Sequence, residues 1–126
     1  MLARDKGLQF EKKARDWLEQ RGLRLLEQNY RGRFGEIDLV MLDGETLCFI
    51  EVKYRNSPAF GGAAYSIPLS KQRKITQTAM AYVQQHRNFQ RSALRFDALL
   101  MQADDSASGI SIEWIANAFE AQGYDF

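Results

Sequence analysis

Asp38, Glu51 and Lys53 are the residues of this 126-residue chain whose types and spacing could do chemistry. They lie in GEIDLVMLDGETLCFIEVKYR, Gly35 to Arg55, where two apolar runs flank the tight-turn dipeptide Asp43-Gly44. Acids inside such runs need a reason. A buried unpaired charge is costly, so each must be wet, paired or bound to a metal. Asp38 and Glu51 supply the hard oxygen ligands that Mg2+ or Mn2+ prefers, with water and a substrate phosphate completing the shell. An ion so placed stabilises charge on a phosphodiester transition state and activates water for attack. Lys53 falls two residues beyond Glu51, on the same strand face and within reach of that water. Glu-x-Lys alone is common; Asp38 on a neighbouring strand makes the set moderately specific. A strand-pair ion network is the plainer explanation of the same three residues.

The strands must put these groups together. If Leu42 pairs with Glu45 across a two-residue turn, Asp38 faces Phe49 and Glu36 faces Glu51. Side chains alternate between faces with period two, which sets Glu36, Asp38, Glu51 and Lys53 on one face. Ile37, Leu39, Cys48, Ile50 and Val52 are expected on the other.

Around the hairpin, residues 4–21 have helical periodicity, with Phe10, Ala14, Trp17 and Leu18 on one side and Gly22 placed to end the helix. Glu11 lies at the margin of that stripe, an odd place for a carboxylate unless it reaches water or pairs with Arg15 at i+4. Leu23 to Gln28 predicts a short strand, and Asn29 to Arg33 a polar turn. Asn56 to Pro68 is a long loop of aromatic and basic character, with Phe60 and Tyr65 in it. Ser70 is a candidate N-cap for a helix over 71–87, striped by Ile75, Ala79, Tyr82, Val83 and His86. Lys71, Arg73 and Lys74 in its first turn oppose the helix dipole, which an anionic ligand would compensate. His86 is expected to be a packed edge residue rather than a base. Ala93 to Met101, containing Asp97, and Ile110 to Ile115 predict two more strands, and the tail with Ala118, Phe119 and Tyr124 a short helical turn. The order is α-β-β-β-α-β with a further strand, a mixed α/β arrangement.

One domain over 1–126 accommodates this length, and 45% hydrophobic with 26% charged residues is ordinary for a globular protein. No apolar run approaches a membrane span and no signal-peptide pattern is present, so a membrane partner is not expected. The lone Cys48 cannot form an internal disulfide and suits a reducing cytoplasm. The net charge of +1 is uninformative, but its distribution is not. Residues 36–51 hold acids and no base, whereas 52–96 hold bases and no acid. That pattern suits a metal site beside a phosphate-binding surface, although scattered solvated charge would also produce it.

The chain also resembles a known family. GEIDLV from Gly35 and FIEVKYR from Phe49 look like the YraN-type family of bacterial proteins (UPF0102), as do Glu11 with Ala14, Asn29-Tyr30-Arg31, Lys71, Arg95-Phe96-Asp97 and Asn117-Ala118-Phe119. That family is in turn similar to the PD-(D/E)xK nucleases, which include archaeal Holliday-junction resolvases. The resemblance implies a restriction-endonuclease-like α-β-β-β-α-β core with a mixed central sheet flanked by helices. It implies metal binding by Asp38, Glu51 and the main-chain carbonyl of Val52, with Lys53 orienting water and Glu11 joining the catalytic set. Ile37 stands where the superfamily name has proline. No target-recognition insert is visible.

The leading expectation is therefore a Mg2+- or Mn2+-dependent nuclease acting on structured or damaged DNA. Arg31, Arg33, Arg55, Lys71, Arg73 and Lys74 would hold phosphates, contacts that weaken steeply with salt. A binding or assembly module that keeps the fold without turnover is the alternative, and RNA is a third option. Resolvase-like relatives act as symmetric dimers, and no sequence feature here decides between monomer and homodimer.

Overall fold

The computed structural model describes residues 3–55, 66–103 and 109–122. Helix α1 (Ala3–Glu19) is followed by strands β1 (Arg24–Arg31), β2 (Glu36–Asp43) and β3 (Thr46–Arg55). Helix α2 (Leu69–Gln85), a 3-10 turn (Arg87–Phe89) and strands β4 (Leu94–Ala103) and β5 (Ile110–Phe119) complete the order. The strands form one sheet in the order β1-β2-β3-β4-β5. β3 and β4 are parallel and every other neighbouring pair is antiparallel. A parallel pair needs a crossover, and α2 lies on it. This is the mixed α/β core expected from the sequence, consistent with the restriction-endonuclease-like order.

The two helices cover opposite faces. Ala14 and Leu18 of α1 pack on Leu39, Met41, Cys48, Ile50, Leu99 and Met101. Ile75, Ala79 and Tyr82 of α2 pack on Val40, Leu47, Phe49, Phe96 and Phe119. A sheet buried on both faces explains why β3 and β4 are apolar almost throughout. α1 ends as predicted. Gly22 has φ +96, its N–H reaches Glu19 O at 3.0 Å, and the Leu23 N–H reaches Leu18 O at 3.2 Å. These are the two bonds of a Schellman motif, and Leu18 and Leu23 share one core cluster beneath it.

Several boundaries differ from the sequence reading. β1 continues through Asn29–Arg31, so the turn is Gly32 to Gly35 rather than Asn29 to Arg33. Ser70 lies inside α2; Pro68 is the N-cap, and its carbonyl accepts from the Lys71 and Gln72 N–H groups. His86 caps the other end with φ −124 and stacks on Tyr82, a packing role as expected. Ala118 and Phe119 belong to β5 instead of a helical turn, because Phe119 pairs with Phe96 and stacks on its ring. Arg15 pairs with Asp16 and Glu19 and donates to Gln28, not to Glu11. Phe60, Tyr65 and Tyr124 fall outside the described residues.

The hairpin register also moved. Asp43 pairs with Thr46 and Leu39 with Ile50, so the turn is Gly44-Glu45. Gly44 has φ +62 and Glu45 does not have positive φ, which fits a turn with its glycine at the first central position. The shift is one residue on each strand, so the face parity survives along the paired rungs while the partners change: Phe49 pairs with Val40, not Asp38, and Asp38 and Glu51 lie one position beyond the last rung.

Candidate active site

The site forms where the sheet splits. The last paired rung of β2 and β3 is Leu39–Ile50, although β2 begins at Glu36 and β3 runs on to Arg55. In place of the next main-chain bond, the Val52 N–H donates to Asp38 Oδ2 at 2.8 Å. The Asp38 side chain thus bridges the diverging strands and is fixed beside Glu51.

On its other side β2 meets Asn29. The rungs Gln28–Leu39 and Tyr30–Ile37 set Asn29 opposite Asp38. Asn29 has φ +55, a left-handed conformation that asparagine tolerates better than most residues. The regular alternation of β2 breaks at this point. Leu39 and Met41 face α1 and Val40 faces α2, but Ile37 packs in the α2-side core. The expectation that Ile37 shares a face with Leu39 therefore fails, while Cys48, Ile50 and Val52 do lie on the α1 side. The break leaves Asp38 at the seam between the two faces.

Four carboxylates converge there. Burial, followed by repulsion from Glu11, Glu51 and Glu36, pushes the Asp38 carboxyl up to about 7 despite the Val52 hydrogen bond. Glu11 is also raised, chiefly by burial, with an Asn29 side-chain hydrogen bond opposing the shift. Glu51 is 7% exposed. Oε2 of Glu51 and Oε2 of Glu11 are buried without a hydrogen-bond partner. Glu51 Oε1 pairs with the Lys71 ammonium, which arrives from the first turn of α2. A cavity of about 200 Å3 opens between β2, β3 and α2, with Glu36, Asp38, Glu51, Lys71 and Lys74 among the residues on its walls.

Lys53 is exposed and follows Glu51 on the same side of β3. Of the six cations expected to hold phosphates, Lys71 and Lys74 reach the cavity, and Lys71 is already engaged with Glu51. Arg31 lies 3.8 Å from Glu36, and the Arg33 guanidinium is 5.7 Å from the Phe34 ring centroid. Arg73 is exposed on α2 and Arg55 half-buried at the end of β3, neither on the cavity wall. Two contributions were missed. Asn29, assigned to a turn, holds Glu11, and its signal was an asparagine interrupting a strand-like run. Lys71, assigned to phosphate alone, is the counter-charge of Glu51.

The donor set fits a divalent cation. No three Asp, Glu, His or Cys side chains among the described residues form a ready-made cage. Mg2+ does not require one, because it is commonly held by one or two carboxylates with waters and substrate oxygens. The orphaned Glu51 oxygen, with Asp38 beside it on the cavity wall, provides that partial shell.

Sequence comparison gives the chain its relatives. The model of "Uncharacterised protein family UPF0102" matches residues 10–101, from Phe10 into β4. A UPF0102 protein of Nitrosospira multiformis is 48% identical over 120 residues, covering 95% of this chain and 97% of the relative. A UPF0102 protein of Enterobacter sp. (strain 638) is 47% identical over 111 residues, 87% of this chain and 80% of the relative. One from Aeromonas hydrophila is 46% identical over 118 residues, 93% and 86% of the two chains. With both hairpin strands, the Asn29 kink and the Lys71 turn inside the matched span, the chain belongs to the UPF0102 family.

Proposed function

We propose that this chain is a divalent-metal-dependent nuclease that hydrolyses phosphodiester bonds in nucleic acid, with DNA as the first substrate to test. The observation that carries the reading is the pair Asp38 and Glu51 at the strand split, with a buried Glu51 oxygen left without a partner. A bound Mg2+ or Mn2+ would supply charge neutralisation at the phosphate and a more acidic water.

The chain's own residues do the rest. Asp38 and Glu51 are the ligands, with the Val52 carbonyl as a third, and the Val52 N–H fixes the orientation of Asp38. Glu11 would add negative charge to the site from α1. Lys53 orients the attacking water and donates to a phosphate oxygen as negative charge grows there. Lys71 and Lys74 hold the phosphate at the cavity, while Arg31, Arg33, Arg55 and Arg73 track the backbone farther out.

A labelled panel of duplex, flap and four-way DNA, with matching RNA, tests this in Mg2+ and in Mn2+. Cleavage by wild type that Glu51→Ala abolishes is the expected result. No cleavage by wild type, or equal cleavage by Glu51→Ala, overturns it. The Lys71–Glu51 ion pair favours a second reading, because it neutralises one ligand without any metal. A non-catalytic binding module would bind nucleic acid equally well as Asp38→Ala and give no heat with Mg2+.

A further inference from the structure

Among the described residues the exposed large hydrophobic side chains are Phe34, 44% exposed, and Leu69, 49% exposed. Single exposed apolar residues are common and usually mean nothing. Phe34 differs in where it sits and how it is held. It is at the tip of the β1–β2 turn, directly before Gly35 and Glu36 on the cavity wall. That turn is closed by the Gly32 N–H donating to Gly35 O at 2.8 Å. Its base is packed on α2: a Cβ at Gly32 or Gly35 would meet the Thr78 side chain at 3.4 or 3.5 Å. The turn therefore lies beside the helix with room for little more than a Cβ between them, so the ring is presented from an anchored support. Arg33 stands 5.7 Å from the ring centroid, which adds a cation to the aromatic face. Leu69 opens α2 two residues before Lys71, a second apolar group beside the same basic turn.

An aromatic ring next to cations that engage phosphate is the arrangement that binds single-stranded nucleic acid, with bases stacking on the ring and the backbone following the charges. Paired bases are hidden in their own stack and cannot use such a ring. We propose that Phe34 is a stacking platform for an unpaired nucleobase, which makes this site take nucleic acid with an unpaired nucleotide beside the phosphate engaged at Asp38 and Glu51. The inference rests on the nuclease reading and narrows it to a substrate class: single strands, gaps, flaps or junctions over continuous duplex. Arg33 then serves the base as much as the backbone.

The test compares wild type, Phe34→Ala and Phe34→Trp on 2-aminopurine oligonucleotides in EDTA, so that no cleavage intervenes. Each is offered as single strand, gapped duplex and continuous duplex, in DNA and RNA versions that identify the sugar preferred. Phe34→Ala is expected to weaken single-strand and gap binding by about tenfold, to change duplex binding by less than about twofold, and to lose 2-aminopurine quenching. Phe34→Trp retains both. If wild type binds and Phe34→Ala weakens all forms equally, or none, the stacking inference is wrong and the nuclease reading stands. If wild type binds no nucleic acid in any form, the stacking inference falls, and the nuclease reading is decided by the cleavage panel in Mg2+ and Mn2+.

Discussion

The backbone N–H of Val52 donates to Asp38 Oδ2 at 2.8 Å, just beyond the last main-chain pairing of β2 with β3. A side chain there replaces a carbonyl in the ladder, and the strands can separate without leaving the amide unsatisfied. The same contact fixes the carboxylate beside Glu51, so the local need to satisfy an N–H also orients the group proposed to hold the cation.

That placement has a cost readable in pH. The Asp38 carboxyl is raised to about 7 by burial and by Glu11, Glu51 and Glu36. Since the folded value exceeds the unfolded one, the native state keeps a proton that the unfolded chain has released across the acid-to-neutral range. Stability is therefore full below the unfolded pKa and falls as pH rises through the folded pKa. Asp38→Asn, which keeps an acceptor for Val52, should be more stable than wild type at pH 8 by on the order of 1–2 kcal/mol. The two should converge near pH 4. Chemical denaturation across this range checks it, and an unchanged pH profile in Asp38→Asn would refute the assignment. Mg2+ should stabilise wild type at pH 8 and leave Asp38→Asn almost unmoved.

Lys71 competes with any cation at Glu51, since its ammonium already occupies Oε1. Removing a positive charge beside a cation site strengthens cation binding and weakens phosphate binding. Lys71→Met should raise Mg2+ affinity about three- to tenfold by calorimetry, while shallowing the salt dependence of nucleic-acid binding. Weaker Mg2+ binding in Lys71→Met would mean that Lys71 supports the acids instead of screening them.

Asp97 illustrates a buried acid with the opposite outcome. It is 1% exposed and accepts from Arg95 Nε and Nη2, from Trp114 Nε1 at 3.0 Å and from the Asn117 N–H at 2.9 Å. Asn117, at φ +56, lies where β4 and β5 shift register, so this carboxylate pins an irregular strand to the sheet. With its oxygens filled by protein donors, Asp97 is structural. Asp97→Ala should cost about 3–5 kcal/mol, because Trp114 Nε1 and the Asn117 N–H lose their acceptor and Arg95 keeps only Asp43 as a carboxylate partner, read as a lowered denaturation midpoint. A loss below about 1 kcal/mol would show that water replaces the network.

These acids also mark what the sequence could and could not reveal. Glu51 and Lys53 were legible because β3 keeps a regular alternation from Leu47 to Tyr54. Ile37 fell on the other face because the alternation of β2 breaks at Asp38, opposite the left-handed Asn29, where a strict period of two no longer applies. The hairpin was legible from Asp43-Gly44, but its register depended on which central position the glycine took. The meeting of Lys71 with Glu51 depends on how α2 lies over the sheet, which periodicity along one helix cannot specify. Capping preference points to Ser70, whereas the Pro68 carbonyl accepts from the Lys71 and Gln72 N–H groups.

Asn29 offers the most selective probe, since its backbone and its side chain can be separated. Its conformation is accessible to glycine without strain, while alanine there costs roughly 1–2 kcal/mol. Its side chain lowers the pKa of Glu11 against the effect of burial. Asn29→Gly should therefore fold with stability within about 1 kcal/mol of wild type, whereas Asn29→Ala is measurably less stable. In Asn29→Gly the Glu11 carboxyl should titrate at still higher pH, followed by 13C carboxyl shifts. An unmoved Glu11 titration in that variant would show that its protonation is governed by burial and the neighbouring acids alone. A strained Asn29 would then exist to turn the strand at Asp38 and not to hold Glu11.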